Sequence, residues 1–206
     1  MKNTVILGGF ANSGKAAIMN LLAEVEVFGY SKGELRIITD PDGIMSLESA
    51  LLDNWNVFQS DIAIKRFRNL VNKLTNSHTF PYFRKDYRKT FTYEFRDLAY
   101  EYLDKLTDFT YKGVWIGINN PIYKSVYKIN SILKKRTLKY NKNIYYSYPK
   151  ETFYKITQEY LEKLVECSLP DDKTDYIIGE GLASLNPGKV LKYFSSAKMI
   201  IVHRDP

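Results

Sequence analysis

Thr4 to Leu7 is a β-branched, apolar run that stops at Gly8-Gly9, and after Gly14-Lys15 the residues from Ala16 to Val27 set apolar side chains at helical spacing. Strand, glycine-bounded loop and helix in that order restrict the fold more than anything else in this chain. Gly9-x-x-x-x-Gly14-Lys15 has the glycine and lysine spacing of a phosphate-binding loop. The glycines let backbone N–H groups turn inward on an anion, and Lys15 adds a positive charge at the amino end of the helix. The competing reading is a plain glycine-rich turn between a strand and a helix.

Further along, Leu35 to Thr39 reads as a second apolar strand, closed by the turn residues Asp40-Pro41-Asp42-Gly43. Residues 44–53 and 60–75 read as helices, the second starting at Ser60-Asp61 with Ile62, Ile64, Phe67, Leu70, Val71 and Leu74 as its apolar stripe. Residues 91–108 predict another helix, 113–118 a strand, and 151–166 a helix that faces Phe153, Ile156, Tyr160, Leu161, Leu164 and Val165 inward. Asp175 to Gly179 predicts a strand, Asn186-Pro187 opens a helix through Phe194, and Lys198 to His203 is a strongly apolar strand. Strands alternating with helices at both ends define the expected fold class as α/β: a phosphate-loop nucleotide-binding fold whose mostly parallel sheet is flanked by helices. One domain over 1–206 is expected, with a helical, aromatic and basic insertion at 80–150.

Charge marks that insertion out. Residues 80–150 hold 15 Lys or Arg against 6 Asp or Glu, whereas the rest of the chain holds 15 against 17. The same segment carries 18 of the 30 aromatic residues. Rings that stack on sugar faces and cations that attract an anionic acceptor are one reading; a single-stranded nucleic-acid surface is another, but the stretch lacks a known motif for it. Genome-wide preference for Lys, Asn, Ile and Tyr would produce the same composition. Cys167 is the only cysteine and there are two His, so neither an internal disulfide nor a Cys/His metal cluster can be assembled. Without a secretory h-region or a membrane-length apolar run, the expected setting is soluble and cytoplasmic.

Ala16 and Ala17 stand where magnesium-dependent nucleotide hydrolases and kinases place a metal-binding hydroxyl. Either other groups hold magnesium, for instance Asp40, or the donor nucleotide is one whose transfer needs no divalent ion.

At the far end, Lys198-Met-Ile-Ile-Val-His-Arg204-Asp205-Pro206 is an apolar strand running into Arg-Asp-Pro, which puts a guanidinium at the carboxyl end of a parallel strand. A strand ending in Arg-Asp-Pro, preceded by a short helix opened by Asn-Pro, resembles the 3′-phosphate-binding element of the P-loop sulfotransferases of bacterial type. Gly-Phe-Ala-Asn-Ser-Gly-Lys then occupies the place of that family's 5′-phosphosulfate loop. The resemblance implies 3′-phosphoadenosine-5′-phosphosulfate as cosubstrate, no metal, and a hydroxyl acceptor such as a bacterial polysaccharide glycan. Carried over by position, it implies that Gly9, Asn12, Ser13, Gly14, Lys15 and Ala16 line the 5′-phosphosulfate and that Arg204 contacts the 3′-phosphate. Two departures stand against the family pattern: Asn12 and Lys15 exchange the usual places of the loop's basic and neutral residues, and the family's pattern continues past Arg-Asp-Pro to a serine, whereas this sequence stops at Pro206.

Sulfuryl transfer needs a base for the acceptor proton and positive charge on the leaving phosphate. Lys15 suits the second role. For the base, Glu34, Asp40 and Asp42 are nearest in sequence, and Glu34 is the best positional match to the related enzymes; a solvated strand start explains Glu34 equally. Asp61 and Lys65 share one helical face and read as an exposed ion pair. His78 stands alone, and His203, inside the apolar strand, reads as a core histidine that keeps a place at the sheet's carboxyl end. An ATP- and magnesium-dependent phosphoryl transferase is the second reading, and a nucleotide-binding module without chemistry the third.

Overall fold

The computed structural model describes residues 3–10, 12–76, 86–113 and 142–204. In chain order these form β1 (Thr4–Gly8), α1 (Lys15–Ala23), β2 (Phe28–Glu34), α2 (Ile44–Glu48), α3 (Val57–Thr75), α4 (Tyr87–Thr90), α5 (Phe95–Leu106), β3 (Phe109–Gly113), β4 (Lys142–Tyr146), α6 (Phe153–Ser168), β5 (Asp175–Gly179), α7 (Pro187–Lys192) and β6 (Ala197–Ile201). A π-helical turn, Ser49–Asp53, extends α2, and a 3-10 turn, Gly181–Leu185, links β5 to α7. Four strands make one parallel sheet in the order β2-β5-β1-β6, while β3 and β4 pair antiparallel. No helix among the described residues is long and apolar enough to cross a membrane.

The central strands β1 and β5 are apolar on both faces, as a strand covered from both sides must be. Successive side chains alternate between the faces. Ile6, Tyr176 and Ile178 enter the main core with Ile64, Phe67, Phe95, Tyr102, Leu161 and Leu164 from α3, α5 and α6. The opposite face takes Leu7 and Ile177, and there a Cβ on Gly179 would meet Sδ of Met19 in α1 at 3.3 Å. The connection from β1 to β2 passes over β5, and that from β5 to β6 passes over β1 in the opposite direction. Right-handed crossovers then send α1 and α7 to opposite faces and open a crevice between the carboxyl ends of β5 and β1.

Local signals explain the helices. Asn56 caps α3 by accepting from the backbone N–H of Phe58 and Gln59, and Ile64, Phe67, Val71 and Leu74 are its buried stripe. Each such side chain contributes roughly 1.5–3 kcal/mol on burial. In α6, the Tyr160 ring stacks on Tyr102 of α5 with centroids 4.7 Å apart, and the Tyr102 hydroxyl meets Thr157 Oγ1 at 3.0 Å. Asn186 accepts from the N–H of Lys189 with Pro187 at the first helical position, which starts α7 where the sequence predicts.

Several expectations are corrected. The second strand is Phe28–Glu34, and residues 36–39 form turns beyond it, because its partner β5 ends at Gly179, opposite Glu34, and leaves them no ladder to join. The cap at Asn56 starts α3 three residues before the expected Ser60. Asp61 is not an exposed partner for Lys65: it is 0% exposed, and its carboxylate accepts from Lys65 Nζ at 2.6 Å and from the backbone N–H of Tyr145 at 2.9 Å. It thereby fastens the β3–β4 pair to α3. In the 80–150 segment, α5 belongs to the main core. The strand expected at 113–118 is β3 up to Gly113, while its remainder, the runs 80–85 and 114–141, and His78 lie outside the described residues.

Candidate functional site: the loop after the first strand

Between β1 and α1 the backbone takes conformations that glycine tolerates best. Gly9 has φ 152° and Gly14 φ 91°, with Asn12 left-handed at φ 65° between them. A Cβ on Gly9 would come within 2.7 Å of Ser13 Oγ and 2.9 Å of the Val202 carbonyl oxygen, so the loop folds tightly onto the segment after β6. The N–H of Ser13 donates to the Phe10 carbonyl at 3.1 Å, and those of Ala17 and Ile18 donate to Gly14, which closes the first turn of α1. No side chain caps that end and no acidic residue stands in its first turn. By helical geometry the N–H groups of Lys15 and Ala16 have no acceptor within the helix. Ser13 Oγ, inside the loop, is buried and has no hydrogen-bond partner in the described structure. An anion supplies what these groups need, at the positive end of the helix dipole.

Lys15 is not aimed into solvent. Its Nζ lies 2.5 Å from Oε1 of Glu34, and the two side chains are 16% and 38% exposed. Glu34 reaches it through an irregularity in β2, where pairing with β5 shifts register between Tyr30 and Glu34. Ser31 Oγ bridges the break, accepting from the Gly179 N–H at 3.3 Å and donating to the Gly33 carbonyl at 2.6 Å. Such bulges re-aim a side chain. The buried Tyr87 holds the far side: its hydroxyl donates to the Glu34 carbonyl at 2.8 Å and accepts from the Arg36 N–H at 3.0 Å. Burial raises the Tyr87 phenol well above its usual range. Glu34 therefore stands at a strand end beside Lys15, not at the solvated strand start that was the alternative.

β6 delivers the other end of the chain to the same edge. The Val202 N–H donates to the Gly8 carbonyl at 3.0 Å, and Arg204, two residues on, is exposed at that carboxyl end. His203 is exposed as well, because β6 ends at Ile201; the core role expected for it is not what the fold gives. Of the expected loop residues, Asn12, Gly14 and Ala16 are exposed, while Gly9 is buried.

Two residues, Glu180 and Tyr87, escaped the sequence reading, as did the partner of Asp40. Glu180, directly after β5, is 1% exposed; it accepts from Thr39 Oγ1 at 3.0 Å, and its N–H donates to the Leu7 carbonyl at 3.1 Å. The acid after the apolar run Tyr176 to Gly179 was a usable signal, of the same kind that drew attention to Arg204. Asp40 is buried in an ion pair with Arg36, Oδ1 lying 2.7 Å from Nη2 and 2.8 Å from Nε, which engages the carboxylate nominated for magnesium. Tyr87 carried no signal at all, since it touches Glu34 only across 53 residues. Among the described residues no group of three or more His, Cys, Asp and Glu is placed to hold a metal ion.

The class so defined is an α/β protein with a parallel sheet flanked by helices, compatible with a phosphate-loop fold, and with a glycine-bounded loop at the sheet's carboxyl edge. No protein-family model matches the chain, nor does any curated protein or solved structure.

Proposed function

We propose that this chain is a sulfotransferase-like enzyme that moves a sulfuryl group from 3′-phosphoadenosine-5′-phosphosulfate to a hydroxyl, on a glycan acceptor, in the cytoplasm. The Lys15–Glu34 pair carries the reading, since it sets a cation and a carboxylate 2.5 Å apart beside the loop. In this reading Gly9, Asn12, Ser13, Gly14, Lys15 and Ala16 receive the 5′-phosphosulfate, and Arg204 receives the 3′-phosphate. The acceptor oxygen forms its bond to sulfur as the bond from sulfur to the bridging phosphate oxygen breaks. That electron pair leaves with adenosine 3′,5′-bisphosphate, where Lys15 stabilises it, and the hydroxyl proton passes to Glu34. No metal enters the step, which accords with alanine at position 16.

Glu180 favours a second reading, ATP- and magnesium-dependent phosphoryl transfer. A buried carboxylate at the carboxyl end of β5, beside β1, is suited to a divalent ion near the loop. Thermal stabilisation separates the two. Adenosine 3′,5′-bisphosphate should raise the melting temperature with or without magnesium, by mass action on the folded state. Stabilisation by ATP alone, and only with magnesium, would reject sulfuryl transfer in favour of the second reading. Stabilisation without transfer to any hydroxyl acceptor would leave a nucleotide-binding module.

A further inference from the structure

Resting on that donor-site reading, we propose that the Lys15–Glu34 ion pair is a latch: donor phosphate draws Lys15 off Glu34, and Glu34 becomes available as the base only after the donor is seated. Donor then binds before acceptor.

The pairing itself is the first reason. Nζ of Lys15 is committed to Glu34 Oε1 at 2.5 Å, yet Lys15 is also the first residue of α1. An anion held by the N–H groups of Lys15 and Ala16 therefore competes with Glu34 for one ammonium. A phosphate oxygen with helix-dipole support is the stronger partner.

Mobility is divided unequally between the two. The Tyr87 hydroxyl on the Glu34 carbonyl and the Leu35 N–H on the Gly179 carbonyl, at 2.8 and 3.2 Å, pin the backbone that carries the carboxylate. Lys15 has a four-carbon stem, whose rotamers allow its tip to move while α1 stays in place. When the pair opens, the ammonium moves and the carboxylate stays.

Exposure gives the direction. Glu34 is 38% exposed and Lys15 16%, so the carboxylate reaches the open side from which an acceptor arrives. Once Lys15 has gone to the phosphate, Oε1 of Glu34 is no longer engaged by that ammonium and can accept from an acceptor hydroxyl.

Calorimetric titration with adenosine 3′,5′-bisphosphate, and in parallel with ATP plus magnesium, tests this on the full chain, E34Q, K15M and the double variant. E34Q should bind about two- to fivefold tighter than the wild type, the scale of a partly exposed ion pair. In the K15M background the same substitution should change nothing, since the competition runs through Lys15. An undiminished gain in K15M would show plain charge repulsion and overturn the latch, as would E34Q binding no tighter than the wild type. Either result leaves the donor reading standing. A wild type that binds neither nucleotide rejects that reading, and the latch with it. Amine labelling supplies a second readout: trinitrobenzenesulfonate should modify Lys15 faster in E34Q than in the wild type, and equal rates overturn the latch.

Discussion

Thr39 donates its hydroxyl to the Glu180 carboxylate at 3.0 Å, joining two residues 141 positions apart at the carboxyl edge of the sheet. The bond ties the turn after β2 to the end of β5, and so holds Glu34 and the loop after β1 in one frame.

For sulfuryl transfer, Glu180→Gln keeps an acceptor for Thr39 and should leave the affinity for adenosine 3′,5′-bisphosphate unchanged, with or without magnesium. Loss of a magnesium-dependent component in the variant would move the assignment to phosphoryl transfer. Thermal shift across both conditions reads this directly.

Gly9→Ala places a methyl group 2.7 Å from Ser13 Oγ and 2.9 Å from the Val202 carbonyl, at a φ of 152° that side chains avoid. The variant should lose about 1–3 kcal/mol of stability in urea unfolding, and nucleotide stabilisation with it. Unimpaired nucleotide binding would take the loop out of the site.

Arg204→Ala should weaken adenosine 3′,5′-bisphosphate roughly tenfold or more, the scale of one charge-assisted hydrogen bond, and leave adenosine 5′-monophosphate unaffected. Arg204 is exposed at the strand end, so the fold itself should be indifferent. Equal loss for both nucleotides would exclude a 3′-phosphate role.

Asp61→Ala removes a fully buried carboxylate from Lys65 and from the Tyr145 N–H, and should cost about 3–5 kcal/mol. Asp61→Asn retains an acceptor for the backbone and should cost less. Urea unfolding of the two variants compares the ion pair with the hydrogen bond; a neutral Asp61→Ala would mean that β4 does not depend on α3.

Alkaline pH should unfold the protein through its tyrosines. The hydrogen bond to Glu48, at 2.6 Å, pushes Tyr154 up to about 12, and burial does the same for Tyr176. Both are normal near 10 when unfolded, so the stability they confer is complete below pH 10 and is lost as pH rises through about 12. Phenolate absorbance at alkaline pH follows this, and Glu48→Gln should bring the Tyr154 transition down. A normal titration of Tyr154 in the wild type would remove Glu48 as its cause.

The elements at the two ends of the chain were legible because each carries its cause locally. Gly9, Gly14 and Lys15 announce a turn onto a helix end; Asn186-Pro187 is a cap and first turn; the runs of β1 and β5 are apolar as a strand buried on both faces must be. Register was not legible. The break between Tyr30 and Glu34 depends on Ser31 meeting Gly179, and without β5 in place the apolar run 35–39 was the better strand candidate. Asp61 failed for the same reason, since its backbone partner at Tyr145 comes 84 residues later.

The sequence by itself therefore determined that a strand, a glycine-bounded loop and a helix bearing Lys15 open the chain, because backbone conformation and helical spacing are short-range properties. Only the tertiary structure decided that Lys15 meets Glu34, that Tyr87 steadies it, and that Glu180 stands behind the loop. Those contacts depend on which strands become neighbours, and the packing of both sheet faces sets that order.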